Sequence, residues 1–247
     1  MKKVLGCSVL VVLAIGVSVT VAAQRHPPVS DPQIKAEVEH RLADDGIRGV
    51  TVAVRERMAT LSGTVESAWA RDEAIEHARK IDDVAGVVNE MTIARAESDE
   101  TLAKAVADKV RRYVFFSVFD DVNIYVNDGV TTLTGFVTMP YKAQAMVKLA
   151  SRVVGVQGVT DRLNVLPVSS FDDSIRYTIA VRIYNDPLFW NYAIQVNPPI
   201  HIVVQNSRVI LTGVVMSEVE RRKADMIARG VFGVLSVENK LRLEGEE

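Results

Sequence analysis

Cysteine is nearly absent from this 247-residue sequence, and the single one, Cys7, lies in the N-terminal segment. A disulfide-stapled scaffold and a thiolate metal centre are therefore excluded for the rest of the chain. A large excess of charge of one sign is also lacking, because 29 basic and 31 acidic side chains leave a formal net charge of −2. Without a global basic field, we expect no nucleic-acid partner. With 48% hydrophobic and 24% charged residues, the composition is that of a globular protein.

Catalytic signatures are lacking as well. The sequence contains no nucleophile elbow, no phosphate-binding loop, no dinucleotide fingerprint and no zinc-protease motif. The four histidines form no metal-spaced pair, and His77 falls where two later segments carry Leu149 and Ile227, which favours packing over metal binding. Acidic pairs such as Asp44-Asp45 fall at predicted helix ends, where capping or solvation explains them. We therefore predict a protein that is not an enzyme, with no catalytic residue, metal, cofactor or small-molecule substrate.

One long apolar run is present, at the N-terminus. Two lysines precede an apolar segment over residues 4–21, which ends in small residues at Ala23. This order is typical of a secretory signal peptide over residues 1–23, with cleavage near Ala23 and a linker at 24–30. An uncleaved anchor is the alternative, because about 18 apolar residues just span a bilayer.

The rest of the chain contains three copies of one unit. A Leu-(Ser/Thr)-Gly-x-Val motif recurs with its glycine at Gly63, Gly135 and Gly213. The spacings of 72 and 78 residues also align the valine-rich segment before each glycine and the alanine-faced segment after it. Coincidence does not keep one register over so many landmarks, so the repeat is real. The predicted domains lie at residues 31–97, 98–169 and 170–247.

Each copy has the same order of predicted elements. Apolar residues at i, i+4 and i+8, such as Ile34, Val38 and Leu42, mark a first helix. Two alternating segments then predict a hairpin, and its Asp128-Gly129 link in the second copy accepts positive φ. A second helix and a final alternating strand follow. The predicted fold class is α+β: three tandem small α-β-β-α-β domains, each a three-stranded mixed sheet with two helices on one face.

A second motif, in which glycine precedes alternating valines and an Asn or Asp, closes each copy around Gly86, Gly158 and Gly233. Together the motifs resemble the BON domain family of OsmY-like periplasmic proteins, and three copies cover the chain after residue 30. The resemblance implies a periplasmic protein without catalytic residues that binds phospholipid or envelope proteins in osmotic or envelope stress. We interpret the signature glycines as structural, with Gly63 and its counterparts packing strand against helix rather than touching a ligand.

Two local features indicate a contact surface. The loop after the first helix is rich in aromatic residues in the second and third copies, which suits a lipid headgroup boundary or a protein hot spot. Packing between repeats is the alternative role. The first copy carries a net charge of −5 and the second +1, so anionic lipid would not repel the second. The candidate contact residues are Lys104, Lys109, Arg111, Arg112, Tyr113, Phe115, Phe116, Phe119, Phe189, Trp190 and Tyr192.

Three functions remain open at this point. The first is docking on an anionic phospholipid surface, led by the second copy. The second is a protein-binding adaptor or chaperone-like module for envelope proteins, which would use the aromatic loops. A small-ion sensor ranks last, because the sequence contains no recognisable loop of oxygen ligands.

Overall fold

The computed structural model describes residues 29–95 and 97–245. The predicted signal peptide and its cleavage site lie outside the described residues. Within them, three α+β units follow one another along the chain, as the repeat pattern predicts. None of the helices formed by these residues combines the length and the hydropathy that crossing a bilayer requires.

Repeat 1 shows the unit in its simplest form. Helix α1 (Asp31–Asp44) is followed by strands β1 (Val50–Arg55) and β2 (Met58–Val65), helix α2 (Ala68–Arg79) and strand β3 (Gly86–Ile93). β1 and β2 form an antiparallel hairpin, and β3 pairs with β2 in parallel, so the sheet order is β1-β2-β3. The apolar sides of both helices and of the sheet form a single core, which places both helices on one face.

Repeat 2 has the same arrangement. Its elements are α3 (Asp99–Arg111), β4 (Asp121–Asn127), β5 (Val130–Val137), α4 (Pro140–Ser151) and β6 (Gly158–Val165). The strands again form one antiparallel and one parallel pair, in the order β4-β5-β6. The predicted α-β-β-α-β unit with a mixed sheet is therefore confirmed.

Repeat 3 keeps the unit and adds a helical insertion after its first helix. Its elements are α5 (Ser170–Tyr184), a 3₁₀ turn (Pro187–Phe189), α6 (Trp190–Ala193), β7 (Ile200–Gln205), β8 (Arg208–Val215), α7 (Glu218–Arg229), β9 (Ser236–Asn239) and β10 (Arg242–Leu243). β7 and β8 form the hairpin, and β9 and then β10 pair with β8 in parallel, in one continuous register. The insertion does not change the order of strands along the sheet.

The apolar stripes predicted for the first helices all face the cores. Each stripe residue is at most 4% exposed, because it packs on the sheet of its own repeat. These residues are Ile34, Val38, Leu42, Leu102, Val106, Val110, Ile175, Ile179 and Ile183.

A carboxylate near the start of each first helix holds the hairpin turn. Asp31 accepts hydrogen bonds from the backbone N–H groups of Glu56 and Arg57, each at 2.9 Å, and both turn residues have positive φ. Sequence reasoning interpreted such acids as local caps or solvated groups, whereas this bond ties the helix to the sheet. The same bonds join Asp99 to the Asp128-Gly129 turn and Asp172 to the Asn206-Ser207 turn.

The glycine of the first motif permits a close approach of two strands. At Gly63, with φ +113°, an added Cβ would lie 2.2 Å from the carbonyl oxygen of Gly49. At Gly213, also with φ +113°, it would lie 1.8 Å from the carbonyl oxygen of Pro199. The tight contact is therefore made with the chain that enters the neighbouring hairpin strand, and not with a helix as we expected. Gly135 has the same geometry against Asp121.

The glycines of the second motif are not equivalent. Gly86 and Gly158 begin β3 and β6, where they pair with β2 and β5. Gly233 instead lies in the loop before β9 with φ +91°, and its counterpart in repeat 2 is Gly155, with φ +90°. The residue equivalent to Gly158 is Ser236, so grouping Gly233 with Gly86 and Gly158 was wrong by three residues.

Candidate functional site

The loop between α3 and β4, residues 112–120, is held by one buried carboxylate. Asp120 is fully buried and accepts a bond from the ammonium of Lys142 at 2.6 Å. It also accepts bonds from the N–H and hydroxyl groups of Ser117 and of Thr138, at 2.8 to 3.0 Å. A buried charge that is this fully bonded gives the loop one defined shape.

Two predicted contact residues of this loop face repeat 3. The ring of Phe116 lies 5.5 Å from the ring of His201, centroid to centroid, and Phe119 packs against the repeat 3 core. Phe116 and Phe119 therefore have the alternative role considered from the sequence, which is packing between repeats. They hold the repeats together and are not presented to a partner.

Of the other aromatic side chains of the loop, Phe115 is exposed and Tyr113 is partly buried against the core of repeat 2. Phe115 makes edge-to-face contacts with Tyr113 and Tyr141, at centroid distances of 5.6 and 5.9 Å. Val114 is 81% exposed and Phe115 56% exposed. We call Tyr113, Val114, Phe115 and Tyr141 the aromatic patch. An exposed apolar cluster of this kind is a candidate contact surface.

The four predicted cations of α3 and its end are all exposed, but only two are unpaired. Lys104 and Arg111 form ion pairs with acids one turn away on the same helix, at 2.5 and 2.6 Å. The hydrogen bond and charge of Lys104 lower the pKa of Glu100 below its ordinary value. Among the described residues, Lys109 and Arg112 have no ion-pair partner. These two cations, next to the aromatic patch in sequence, retain their charge for an external anion.

The insertion of repeat 3 contributes mainly to its core. Phe189 is fully buried and Tyr192 is 4% exposed, so neither is available to a partner, contrary to the prediction. The Tyr192 hydroxyl donates to Glu220 at 2.7 Å, and burial, together with this acid, raises the pKa of Tyr192 to about 12. The side chains turn inward because they pack into the apolar core of repeat 3. Only Trp190, at 66% exposure, remains a candidate contact residue.

A cleft of about 1280 Å³ lies between repeats 2 and 3. Lys104 lines one side, and Lys240 and Arg242 line the other, which sequence reasoning did not single out. His201 lies at its inner end, where burial lowers the pKa of the imidazole, partly offset by the charge of Asp121. The cleft could be found only in three dimensions, because its two sides belong to different repeats.

Repeats 2 and 3 make contact through the edge strand β7 of repeat 3. The Ile202 N–H of β7 donates to the Val118 carbonyl at 2.7 Å. The Thr212 hydroxyl donates to the Asp121 carboxylate at 2.9 Å. Repeat 3 therefore meets the end of the aromatic loop with the edge of its sheet.

Repeats 1 and 2 meet through a different contact. The Gly155 N–H donates to the Glu66 carbonyl at 2.8 Å, and the Ala68 N–H donates to the Val156 carbonyl at 2.9 Å. Ala68 is 1% exposed and belongs to the core of repeat 2. The start of α2 is thus inserted into the loop that precedes β6.

Comparisons with known proteins agree with this architecture. The family model described as BON domain matches the chain three times, at residues 30–95, 98–167 and 191–245. The third match begins after α5, where the insertion separates that helix from the rest of its repeat. Osmotically-inducible protein Y of Escherichia coli (strain K12) is 30% identical over 131 residues, which are 49% of this chain and 61% of the relative. The chain therefore spans less than two thirds of that relative.

Two solved structures of CdsD, a structural protein of the type III secretion system of Chlamydia trachomatis, are also similar. They are 14% and 12% identical, cover 84% and 87% of this chain and span 90% and 99% of their own chains; the second is a C-terminal domain. Their TM-scores are both 0.25. The three family matches together span well over half of the sequence. The chain therefore belongs to the BON domain family, with three tandem copies of the domain.

Proposed function

We propose that this protein is a non-catalytic periplasmic protein that docks on anionic phospholipid surfaces through repeat 2, in osmotic or envelope stress. The observation that carries the proposal is the exposed aromatic patch, next to which in sequence lie the unpaired cations Lys109 and Arg112. Aromatic rings suit the headgroup level of a bilayer, and each cation near an anionic surface contributes about 1 kcal/mol. The N-terminal pattern and the name of the osmotically inducible relative support the location and the stress role.

Repeat 1 is unsuited to the same task. Its first helix ends at Asp44, and the loop between α1 and β1 begins with Asp45 and has no aromatic side chain. Its net charge of −5 would repel an anionic membrane. Repeat 2 therefore leads the contact in this proposal.

Co-sedimentation of the purified protein with vesicles tests the proposal. We expect binding to phosphatidylcholine vesicles that contain phosphatidylglycerol, and weaker binding when the salt is raised from about 50 to about 300 mM. Vesicles of phosphatidylcholine alone should bind little. The Lys109→Glu/Arg112→Glu variant should lose binding, because it replaces the free cations and spares the paired ones.

The matched control is Arg48→Glu/Arg55→Glu, which makes the same change of charge on exposed residues of repeat 1. It should bind like the wild type. Salt-insensitive binding, or an equal loss in the control, would contradict docking through repeat 2.

A second candidate function, an adaptor or chaperone-like module for envelope proteins, has its own observation. The loop of repeat 2 that holds Gly155 receives the start of α2, as described above. The equivalent loop of repeat 3 holds Gly233 in the same conformation and exposes Phe232 (92%) and Leu235 (77%). A loop of this shape with apolar side chains suits a helix start of another protein.

Pull-down from envelope extract distinguishes the two candidates. The adaptor function predicts specific partners that the Phe232→Ser/Leu235→Ser variant loses and the Phe115→Ser variant keeps. Phospholipid docking predicts that, in the vesicle assay, the Phe115→Ser variant loses binding and the Phe232→Ser/Leu235→Ser variant keeps it. Phe116 is a poor choice for either test, because it packs against His201.

A further inference from the structure

Three side chains with metal-ligand atoms converge in repeat 1. The His77 Nε2 atom lies 2.6 Å from an Asp45 carboxylate oxygen and 3.9 Å from a Glu73 carboxylate oxygen. One ligand atom from each side chain lies within 4.8 Å of the other two. No other group of three or more such side chains is found in the part of the chain that the structure describes.

The local fold explains why these residues meet. Glu73 and His77 are one turn apart on α2, so they share a helix face. Asp45 is the C-cap of α1, and α1 packs beside α2 on the same face of the sheet. The sequence places Asp45 about thirty residues away, and only the packing of the two helices brings it to His77.

The charges at this point are unbalanced. In the described part of the chain, neither Asp45 nor Glu73 forms an ion pair with a lysine or arginine; their ion pairs are with His77. Two carboxylates around one imidazole leave an excess of negative charge that a divalent cation would neutralise. The side chains of Asp45, Glu73 and His77 are 44%, 32% and 19% exposed, so water can complete the coordination of an ion.

The other repeats use the same location differently. The position of Glu73 is occupied by Ala145 in repeat 2. In repeat 3 it is occupied by Lys223, whose ammonium pairs with Asp186 at 3.1 Å. The ligand set is therefore particular to repeat 1, and the shared fold does not require it.

We propose that Asp45, Glu73 and His77 form a binding site for a divalent transition metal of the zinc type. One imidazole nitrogen and two carboxylate oxygens, with water in the fourth position, suit Zn²⁺. Calcium and magnesium prefer six or more oxygen ligands, and this site does not supply them. Zinc bonds of about 2.0 to 2.1 Å space tetrahedral ligand atoms about 3.4 Å apart. Asp45, at 2.6 Å from the imidazole nitrogen, would move away and Glu73, at 3.9 Å, would approach, each by less than about 1 Å.

Titration of the metal-stripped protein with ZnCl₂ tests the site. Calorimetry should show one Zn²⁺ bound with a Kd in or below the micromolar range, and Zn²⁺ should raise the melting temperature. Ca²⁺ and Mg²⁺ at the same concentration should not. Glu73→Gln and Asp45→Asn should each weaken Zn²⁺ binding by a factor of about 10 or more.

His77→Leu is the decisive variant, because the two other repeats carry Leu149 and Ile227 there and fold around them. It should lose Zn²⁺ binding and keep its metal-free melting temperature and circular dichroism. The matched control is His40→Leu, which removes an exposed histidine that pairs with Asp44 at 3.1 Å and, within the described residues, with no other acid. That variant should bind Zn²⁺ like the wild type.

Each remaining outcome overturns the proposal. The site does not exist if the wild type binds no Zn²⁺ at concentrations up to about 100 μM, or if His40→Leu loses as much affinity as His77→Leu. Equal effects of Ca²⁺, Mg²⁺ and Zn²⁺ would show only an acidic surface. None of these results bears on phospholipid docking, which uses repeat 2.

Discussion

The contact between repeats 1 and 2 and the contact between repeats 2 and 3 join copies of one unit in different ways. In the first, the start of α2 inserts into repeat 2 and buries Ala68. In the second, the edge of β7 bonds to the aromatic loop and buries His201. A conserved repeat order therefore does not produce a uniform stack. The residue at the first position of the second helix differs between the repeats, and we expect it to determine which kind of contact forms.

For a helix start to insert into the next repeat, its first residue must have a small side chain and a backbone N–H that can donate a hydrogen bond. Ala68 meets both conditions and donates to the Val156 carbonyl. Pro140 stands at the start of α4 and has no N–H. Glu218 stands at the start of α7, where ion pairs with Arg221 and Arg222 at 2.5 and 2.9 Å hold its charge at the surface. Repeats 2 and 3 are thus excluded from inserting a helix start as repeat 1 does.

The largest expected effect comes from giving repeat 1 the residue of repeat 3. Ala68→Glu should lower the free energy of unfolding by about 3 kcal/mol, because it places an unpaired carboxylate in the core of repeat 2. Glutamate in a first turn favours the helix itself, so the loss reports the contact. Urea denaturation gives the value, and small-angle scattering should show repeat 1 detached.

Ala53→Glu is the control, since Ala53 lies exposed on β1. Its effect should stay within about 0.5 kcal/mol. If Ala68→Glu were equally harmless, insertion of the helix start would not determine how repeats 1 and 2 meet.

An intermediate effect is expected from Gly213→Ala, which acts on the second contact. The new Cβ would lie 1.8 Å from the Pro199 carbonyl oxygen at φ +113°, so β7 must shift, at a cost of about 2 to 3 kcal/mol. Hydrogen exchange should show faster exchange of the Ile202 amide, while the Ala68 amide stays protected. The comparison is Gly158→Ala, where no heavy atom lies within 4 Å of the new Cβ. Equal stability of the two variants would disprove the close approach.

The smallest effect concerns pH. Burial lowers the pKa of His201 in the folded protein, whereas in the unfolded chain it is about 6.5. Between these values the unfolded state holds more protons, so stability falls as the pH falls below about 6.5 and is unaffected by this group above it. A single titrating group changes the free energy of unfolding by at most about 1.4 kcal/mol for each pH unit.

Urea midpoints at pH 7.5 and 5.5 measure this effect. We expect His201→Gln to reduce the loss of stability at low pH, and His40→Gln, at an exposed position, to leave it unchanged. An unchanged loss in His201→Gln would show that the second contact is not sensitive to pH through this residue.

The sequence predicts the fold of each repeat but not which surface side chains take part in contacts between repeats. The stripe of Ile34, Val38 and Leu42 predicts a buried helix face, and all three residues are buried, because a period of four residues is a local property of the chain. No local sequence pattern predicts which aromatic side chains of the loops are buried. Phe115 and Phe116 are adjacent in sequence, yet one faces solvent and the other packs on His201. Phe116 contacts a residue of repeat 3, and a local sequence pattern cannot show that contact.

The ligand cluster of repeat 1 shows the same limit. His77 was interpreted as a packed side chain because Leu149 and Ile227 replace it in the other repeats, and its own spacing contains no metal motif. The signal was Glu73 at the preceding turn of the same helix. The third ligand, Asp45, lies at the end of α1, and nothing in the sequence links that position to His77.

The sequence by itself determined that this chain is three tandem α+β units of one family, because hydrophobic periodicity and turn residues act between near neighbours. Only the tertiary structure decided how the units meet, which aromatic side chains remain outside, and where Asp45 approaches His77. Those features depend on single residues such as Ala68 and Pro140, and on groups far apart in the chain. Their effect exists only once the helices are packed on their sheets.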